Sequence, residues 1–243
     1  MRGLLLAWLL LFPGPAAAVA CDRALFEGVG FIFCDVDATN AEIRLWLRAP
    51  DGSLYGHFHN IEASLPDGQR LVFAMNAGMF HGDRRPVGHY VEDGQERTRV
   101  ITGGSPGNFG LLPNGIFCIR ETRADVIETQ AYQRRRPECR YATQSGPMLV
   151  TDGTLHPRFI PGSESRFIRN GVGTSADGKR AVFVISNARV NFDTFGRFFR
   201  DALGLPNALY FDGRVSRLHA FALDRSDIGL ALGPIVGVIA PVD

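Results

Sequence analysis

Four short segments place chemically capable residues where the sequence otherwise asks for buried strand. Asn76 and Gly78 interrupt the apolar run "LVFAMNAGMF" (71–80). Ser145 and Gly146 stand inside "ATQSGPMLV" (142–150). Arg169 opens "RNGVG" (169–173), with Gly171 and Gly173 beyond it. Asp212 and Gly213 end "NALYFDG" (207–213). An amide, a hydroxyl, a guanidinium and a carboxylate can together orient a polar ligand, neutralise an anion and move a proton. The glycines let a ligand or another chain approach the backbone closely. Each interruption alone reads as a turn or bulge. Taken together they predict one cleft lined by Asn76, Ser145, Arg169 and Asp212.

Two literal motifs fail on context. "GGSPG" (103–107) matches G-x-S-x-G, but the residue after Ser105 is Pro106, which has no N–H to give an oxyanion. "GVGTSA" (171–176) matches G-x-G-x-x-A, but it runs into an Asp-Gly turn and a strand instead of opening a helix. His57 and His59 alternate as if on one sheet face, with no third metal ligand near them. Of the other histidines, His89 in "PVGHYVEDG" is the candidate for proton transfer, and the rest read as structural. No metal and no cofactor is expected.

The elements that must carry these residues are mostly strands. Asp-Gly occurs six times, at 51, 67, 93, 152, 177 and 212, and Asn-Gly at 114–115. Such pairs between apolar segments are strong hairpin signals. "GVGFIFCDVDA", "EIRLWLRA", "LVFAM", "NALYF" and "GPIVGVIA" read as further strands. Phe192, Phe195, Phe199 and Leu203 recur at helical spacing before Gly204 and Pro206, which mark a helix end. Arg123 to Arg140 is charged and ambiguous, and its Arg134–Arg136 run reads as a solvated face. The fold class is therefore α+β, mostly β: a hairpin-rich sheet with a few packed helices in a single domain.

The first twenty residues have the pattern of a signal peptide: Arg2, an apolar run from Leu4 to Phe12, and small residues at Ala18 and Ala20. Residues 1–20 are expected to be removed and 21–243 to form the domain, placing the protein in the periplasm or outside the cell. Acylation of Cys21 as a lipoprotein is the rival reading. No later segment is apolar and long enough to span a membrane. Residues 1–20 carry one Arg and no acid, so the remainder balances basic against acidic residues. Such balance argues against a nucleic-acid partner. Four cysteines in an exported chain suggest two disulfides out of three possible pairings. Sequence proximity favours Cys21–Cys34 and Cys118–Cys139.

The segments "FAMNAGMF", "ATQSGPMLV", "IRNGVGTSADGK" and "NALYFDGRVS" resemble the phosphodiester glycosidase family, which includes uncovering-enzyme-like domains. The closer likeness is to an exported bacterial branch without assigned function. The resemblance runs from about Phe26 to Pro241. It implies an exported hydrolase that cleaves a sugar-1-phosphodiester in an envelope or extracellular glycan, with a carbohydrate or glycosyl phosphate as partner. Such a substrate would make Asp212 the catalytic base or nucleophile and Arg169 a bidentate phosphate clamp, with His89, from its own segment, as the third catalytic candidate. Asn76, Gly78, Ser145, Gly146, Gly171, Gly173 and Gly213 are expected to bind substrate. Arg214 and Val215 depart from the family, which has glycines there. Two alternatives stand beside this reading: a non-catalytic glycan-binding module, and an acyl hydrolase using Ser145.

Overall fold

The computed structural model describes residues 18–242. In chain order its strands are β1 (Val19–Phe26), β2 (Val29–Asp37), β3 (Glu42–Trp46), β4 (Gln69–Asn76), β5 (Tyr90–Glu92), β6 (Gln95–Thr98), β7 (Gly115–Ile119), β8 (Ala124–Glu128), β9 (Tyr141–Ser145), β10 (Met148–Thr151), β11 (Thr154–Leu155), β12 (Asn170–Thr174), β13 (Arg180–Ser186), β14 (Asn207–Asp212), β15 (Leu218–Ala220), β16 (Arg225–Ser226) and β17 (Ile235–Pro241). Three α-helices join them: α1 (Phe58–Glu62), α2 (Thr129–Arg135) and α3 (Phe192–Arg197), the last running on as a π-helical turn over Phe198–Ala202, and a 3-10 turn follows at Phe221–Leu223.

The strands form three antiparallel sheets. One has seven strands in the order β1-β2-β13-β12-β14-β10-β11. The others have five each, β16-β15-β4-β17-β3 and β6-β5-β9-β7-β8. One face of every sheet turns toward a shared core, where Phe183 and Phe211, Phe73 and Val238, and Phe117 and Tyr141 meet. The opposite faces are capped by helices. Phe195, Phe198 and Phe199 cover the seven-stranded sheet, Phe58 and Ile61 of α1 the second, and Tyr132 of α2 the third. Strands buried on both faces lose the in–out alternation, which is why β13 reads as the continuous run "AVFVIS".

Turn chemistry sets the hairpins. Asp93-Gly94 and Asp152-Gly153 both have positive φ at each residue and close β5–β6 and β10–β11, as the sequence predicts. Asp177 holds the β12–β13 turn by accepting from Ser175 Oγ (2.6 Å) and Lys179 N (3.0 Å). The β1–β2 hairpin turns on Glu27-Gly28 in the same left-handed conformation, a pair the Asp-Gly pattern does not flag.

Three expectations are corrected. Asn114-Gly115 is no hairpin turn: Asn114 is buried, donates to Phe109 O (3.0 Å) and accepts from Thr129 Oγ1 (2.7 Å), anchoring an irregular loop ahead of β7. Asp212-Gly213 is no hairpin either, because the chain there leaves one sheet and enters another at β15. His57 and His59 lie at the start of α1, their rings stacked 5.2 Å apart, and not on a sheet face. The ambiguous stretch resolves into β8 and α2, whose N-terminus is capped by Glu128 accepting from Gln130 N and Ala131 N.

Both expected disulfides are present, Cys21–Cys34 and Cys118–Cys139. The first joins directly opposed residues of β1 and β2. Most of the expected signal peptide lies outside the described residues. Val19 and Ala20, just ahead of the expected cleavage point, pair with Val36 and Asp35. No helix among the described residues is long and apolar enough to cross a membrane.

Candidate active site

The three sheets converge where β4, β9, β12 and β14 reach their ends. β4 delivers Asn76, β9 delivers Ser145, β12 begins at Asn170 and β14 finishes at Asp212. Each sheet therefore contributes a polar residue to one junction.

Asn170 is the hub. Its Oδ1 accepts from Asn76 Nδ2 (3.1 Å), Asp212 N (3.2 Å) and Ser216 Oγ (3.2 Å). Its Nδ2 donates to Asn76 O at 2.8 Å. Asn76 Oδ1 in turn accepts from Arg217 N at 2.9 Å. Neither asparagine has solvent-exposed surface. Buried amides this fully used rigidify what they hold, since each lost bond leaves an unpaired polar group. What they hold is the 212–217 loop.

The β12–β14 register places Asp212 opposite Asn170 and Tyr210 opposite Gly171, so Phe211 is an extra residue, a β-bulge. Its ring enters the shared core. Its carbonyl is met by Ser145 Oγ at 3.0 Å. Ser145 is fully buried and spends its hydroxyl proton on that carbonyl, a positioning arrangement and not that of an activated nucleophile.

Asp212 is half-buried. Its Oδ1 accepts from Gly213 N (2.5 Å) and Arg214 N (2.7 Å). Burial pushes its carboxyl above the ordinary aspartate range, against the pull of those donors and of the Arg214 charge. Tyr210 lies two residues before it. Burial raises the phenol, Arg169 and Asn108 oppose that, and the Asp212 charge adds to it. Gly213 leaves the room the phenol needs, since a Cβ there would collide with the Tyr210 hydroxyl and crowd Phe167.

Arg169 immediately precedes Asn170, the first residue of β12, and the two side chains point to opposite faces. The Arg169 guanidinium stands 3.6 Å over the Phe192 ring, with Phe167 and Tyr210 at 5.4 and 5.3 Å. Nε donates to Val190 O (2.9 Å) and Nη2 to Ser165 O (3.0 Å), while Nη1 is buried without a partner. No carboxylate pairs with it among the described residues. Burial lowers its affinity for the proton, yet an arginine stays charged at any ordinary pH. An uncompensated cation is therefore enclosed beside Tyr210. It has no exposed surface, so an open bidentate clamp is not what the geometry provides.

The remaining candidates separate. His89 is a correction: its ring faces Thr98 O (3.0 Å) and Tyr132 Oη (3.0 Å) under α2, on the far side of the third sheet from Asp212. Gly78 accommodates protein and not ligand, because a Cβ there would meet Gln144 O and Thr143 Oγ1. Gly171 and Gly173 make room for the strand and helix beside them. A Cβ would lie 2.5 Å from Leu209 O at Gly171, and 2.7 and 2.8 Å from Leu205 and Phe199 at Gly173. Gly146 approaches Asn114 and Phe109 O in the same way.

Open space beside the network is a cleft of about 570 Å³ lined by Arg214 to Arg217 and by Ser226, Asp227, Ile228 and Leu230. A larger cleft of about 1010 Å³, bordered by Trp46, Tyr55, Glu92 and Tyr141, contains none of the predicted site residues. In place of the predicted cleft stands a buried network, in which Asn76, Ser145 and Arg169 have no exposed surface and Asp212 is half-buried. Asn170, Tyr210 and Ser216 complete it. Asn170 is legible in retrospect as a second polar residue inside a strand. Among the described residues no group of three acids, histidines or cysteines is placed to hold a metal ion.

Comparison with known proteins fits this arrangement. The sequence profile of the phosphodiester glycosidase family matches residues 69–222, which span β4 to just past β15. The chain is 30% identical over 184 residues to the uncharacterized protein YigE of Escherichia coli (strain K12), covering 76% of this chain and 72% of that protein. The catalytic domain of zebrafish N-acetylglucosamine-1-phosphodiester alpha-N-acetylglucosaminidase, auto-inhibited by its pro-peptide, shares the fold. Its TM-score is 0.61 at 12% identity, over 90% of this chain and 81% of that one. A hypothetical protein from Synechocystis gives a TM-score of 0.60 at 13% identity, over 90% and 61%. A putative exported protein from Burkholderia pseudomallei K96243 gives 0.54 at 11% identity, over 86% and 74%. With its characteristic segments converging on one junction and its sequence matched across most of its sheets, the chain belongs to the phosphodiester glycosidase family.

Proposed function

We propose that the protein, after export, hydrolyses the bond between a sugar and phosphate in a glycosyl phosphodiester of an envelope or extracellular glycan. The observation that carries this reading is the mounting of Asp212. Its carboxyl follows a bulge braced by Asn76, Asn170, Ser145 and Ser216, and both backbone donors take Oδ1, so Oδ2 is the oxygen free to act on a substrate.

Cleavage of such a bond passes through an oxocarbenium-like transition state. Phosphate leaves readily, so stabilising its charge matters more than protonating it. Asp212 acts on the sugar side as base or nucleophile, and its raised pKa suits proton transfer nearer neutrality. Arg169 and Tyr210 have almost no exposed surface, so they act from behind the loop, Arg169 through the field it sets at Tyr210. Ser145 and Asn76 hold the loop. The two disulfides fit an oxidising compartment.

The test offers the oxidised protein an α-N-acetylglucosaminyl phosphodiester and a panel of other glycosyl phosphodiesters, and follows released sugar. Turnover that disappears in Asp212→Asn supports the reading. Tight glycan binding without turnover would transfer the role to a binding module. Ester cleavage dependent on Ser145 would replace it with an acyl hydrolase.

A further inference from the structure

The 570 Å³ cleft lined by the loop that follows Asp212 joins two kinds of surface that a sugar alone does not need. Its inner wall is cationic. Arg217 is 7% exposed, and its backbone N–H is tied to Asn76 in the buried network. Its guanidinium rests on Gly229, where an added Cβ would lie 3.0 Å from Cζ, and one nitrogen donates to Leu230 O. Arg214 stands exposed at the loop tip. No acid is in ion-pair contact with either among the described residues. The acid in the cleft, Asp227, is occupied by Arg225 (2.9 and 2.8 Å) and by Leu218 N (3.0 Å). The outer rim is aliphatic. Ile228 is 94% exposed and Leu230 70% exposed. Two large apolar side chains on one loop, beside unpaired cations, complement an anion attached to a hydrocarbon.

We infer that this cleft holds the phosphate and alcohol of an amphiphilic glycosyl phosphodiester, a sugar joined through phosphate to a lipid alcohol, with Arg214 and Arg217 on the phosphate and Ile228 and Leu230 against the chain. The inference rests on the hydrolytic reading and names the substrate class for it. In the step, the bond from the sugar C1 to the phosphate oxygen breaks and a bond from C1 to a water oxygen forms. One water proton stays on the new sugar hydroxyl. The other passes to Asp212 and on to solvent or to the departing phosphomonoester, which keeps the bridging oxygen. The lipid phosphate leaves along the apolar rim.

Titration calorimetry on the full oxidised protein tests the subsite without turnover. Decyl phosphate is expected to bind at least about tenfold more tightly than methyl phosphate. The double variant Ile228→Ser, Leu230→Ser removes that difference. Arg214→Ser, at an exposed position that does not threaten folding, weakens both phosphates, as does Arg217→Gln. Equal affinity for the two phosphates overturns the inference, as does a preference that survives the double variant. Binding of uncharged decyl maltoside as tight as that of decyl phosphate also overturns it, because the arginines would then have no part. Sugar release from a methyl phosphodiester with no gain for its decyl counterpart leaves hydrolysis standing and removes the lipid alcohol. Decyl phosphate binding without any sugar release keeps the subsite and removes the hydrolysis.

Discussion

Replacing Asn170 by Ala is expected to destabilise the protein far more than the loss of one polar side chain suggests. The backbone of residue 170 stays paired with Ile185 and Asp212. Ser216 Oγ keeps two other acceptors, Ile168 O (3.0 Å) and Asp212 O (2.9 Å). Asn76 Nδ2 and Asp212 N, however, lose the acceptor they share. A buried donor left without a partner costs about 1–3 kcal/mol. Two of them give a loss of about 2–6 kcal/mol, a large part of the ~5–15 kcal/mol that holds a domain together. The assay is urea unfolding with the disulfides intact, comparing midpoints at unchanged slope. Ser216→Ala is the internal control and should lose only about 0.5–1.5 kcal/mol. A loss of less than about 1 kcal/mol in Asn170→Ala would refute the reasoning, since the two donors would then have found other partners.

Further outcomes follow from the same contacts. Asp212→Asn should lower sugar release by about a hundredfold or more while leaving neutral-pH stability equal or higher. A carboxyl whose folded pKa lies above its unfolded value favours folding when protonated, and that advantage is lost as the pH rises through the folded value. The gain of the Asn variant should therefore shrink as urea curves are taken down through the ordinary aspartate range, and a variant less stable than wild type at neutral pH contradicts it. Gly171→Ala should cost more than about 2 kcal/mol because the new methyl meets the Leu209 carbonyl, whereas Gly82→Ala, in open space, should stay within about 1 kcal/mol of wild type in the same measurement. Converting Cys118 and Cys139 together to Ala, which opens a loop of sequence separation 21, should lower the unfolding free energy by about 3 kcal/mol.

Where local chemistry decides structure, the sequence can be read directly. Asp93-Gly94 and Asp152-Gly153 need positive φ, and they form the turns they announce. The phenylalanine spacing marks α3, with Asn191 capping it through Thr194 N at 2.8 Å. Where packing between distant segments decides, reading fails. Asn114-Gly115 has the composition of a turn, but Thr129 and Phe109 claim its amide. Arg169 has the look of an open clamp, and its enclosure depends on Phe167, Phe192 and Tyr210, which only the folded sheet gathers. Gly171 and Gly173 signal a close approach correctly, and the approaching partner is protein. Asn76 and Asp212 do meet, but through Asn170, which hides in an Asn-Gly pair that resembles a turn, while Ser145 joins them by way of the Phe211 carbonyl and Arg169 faces the other way.

The bulge at Phe211 gives the junction a numerical character. Tyr210 faces α3 and Phe211 faces the shared core, and Asp212 reaches Asn170 because one residue more stands in β14 than in the facing stretch of β12. The carboxyl is therefore addressed by counting. Substitutions along Ala208 to Phe211 alter packing by degrees, whereas a single-residue deletion there shifts the parity of the strand and turns the acid toward the other face. Insertions and deletions, not replacements, are the changes that this part of the chain has least freedom to accept.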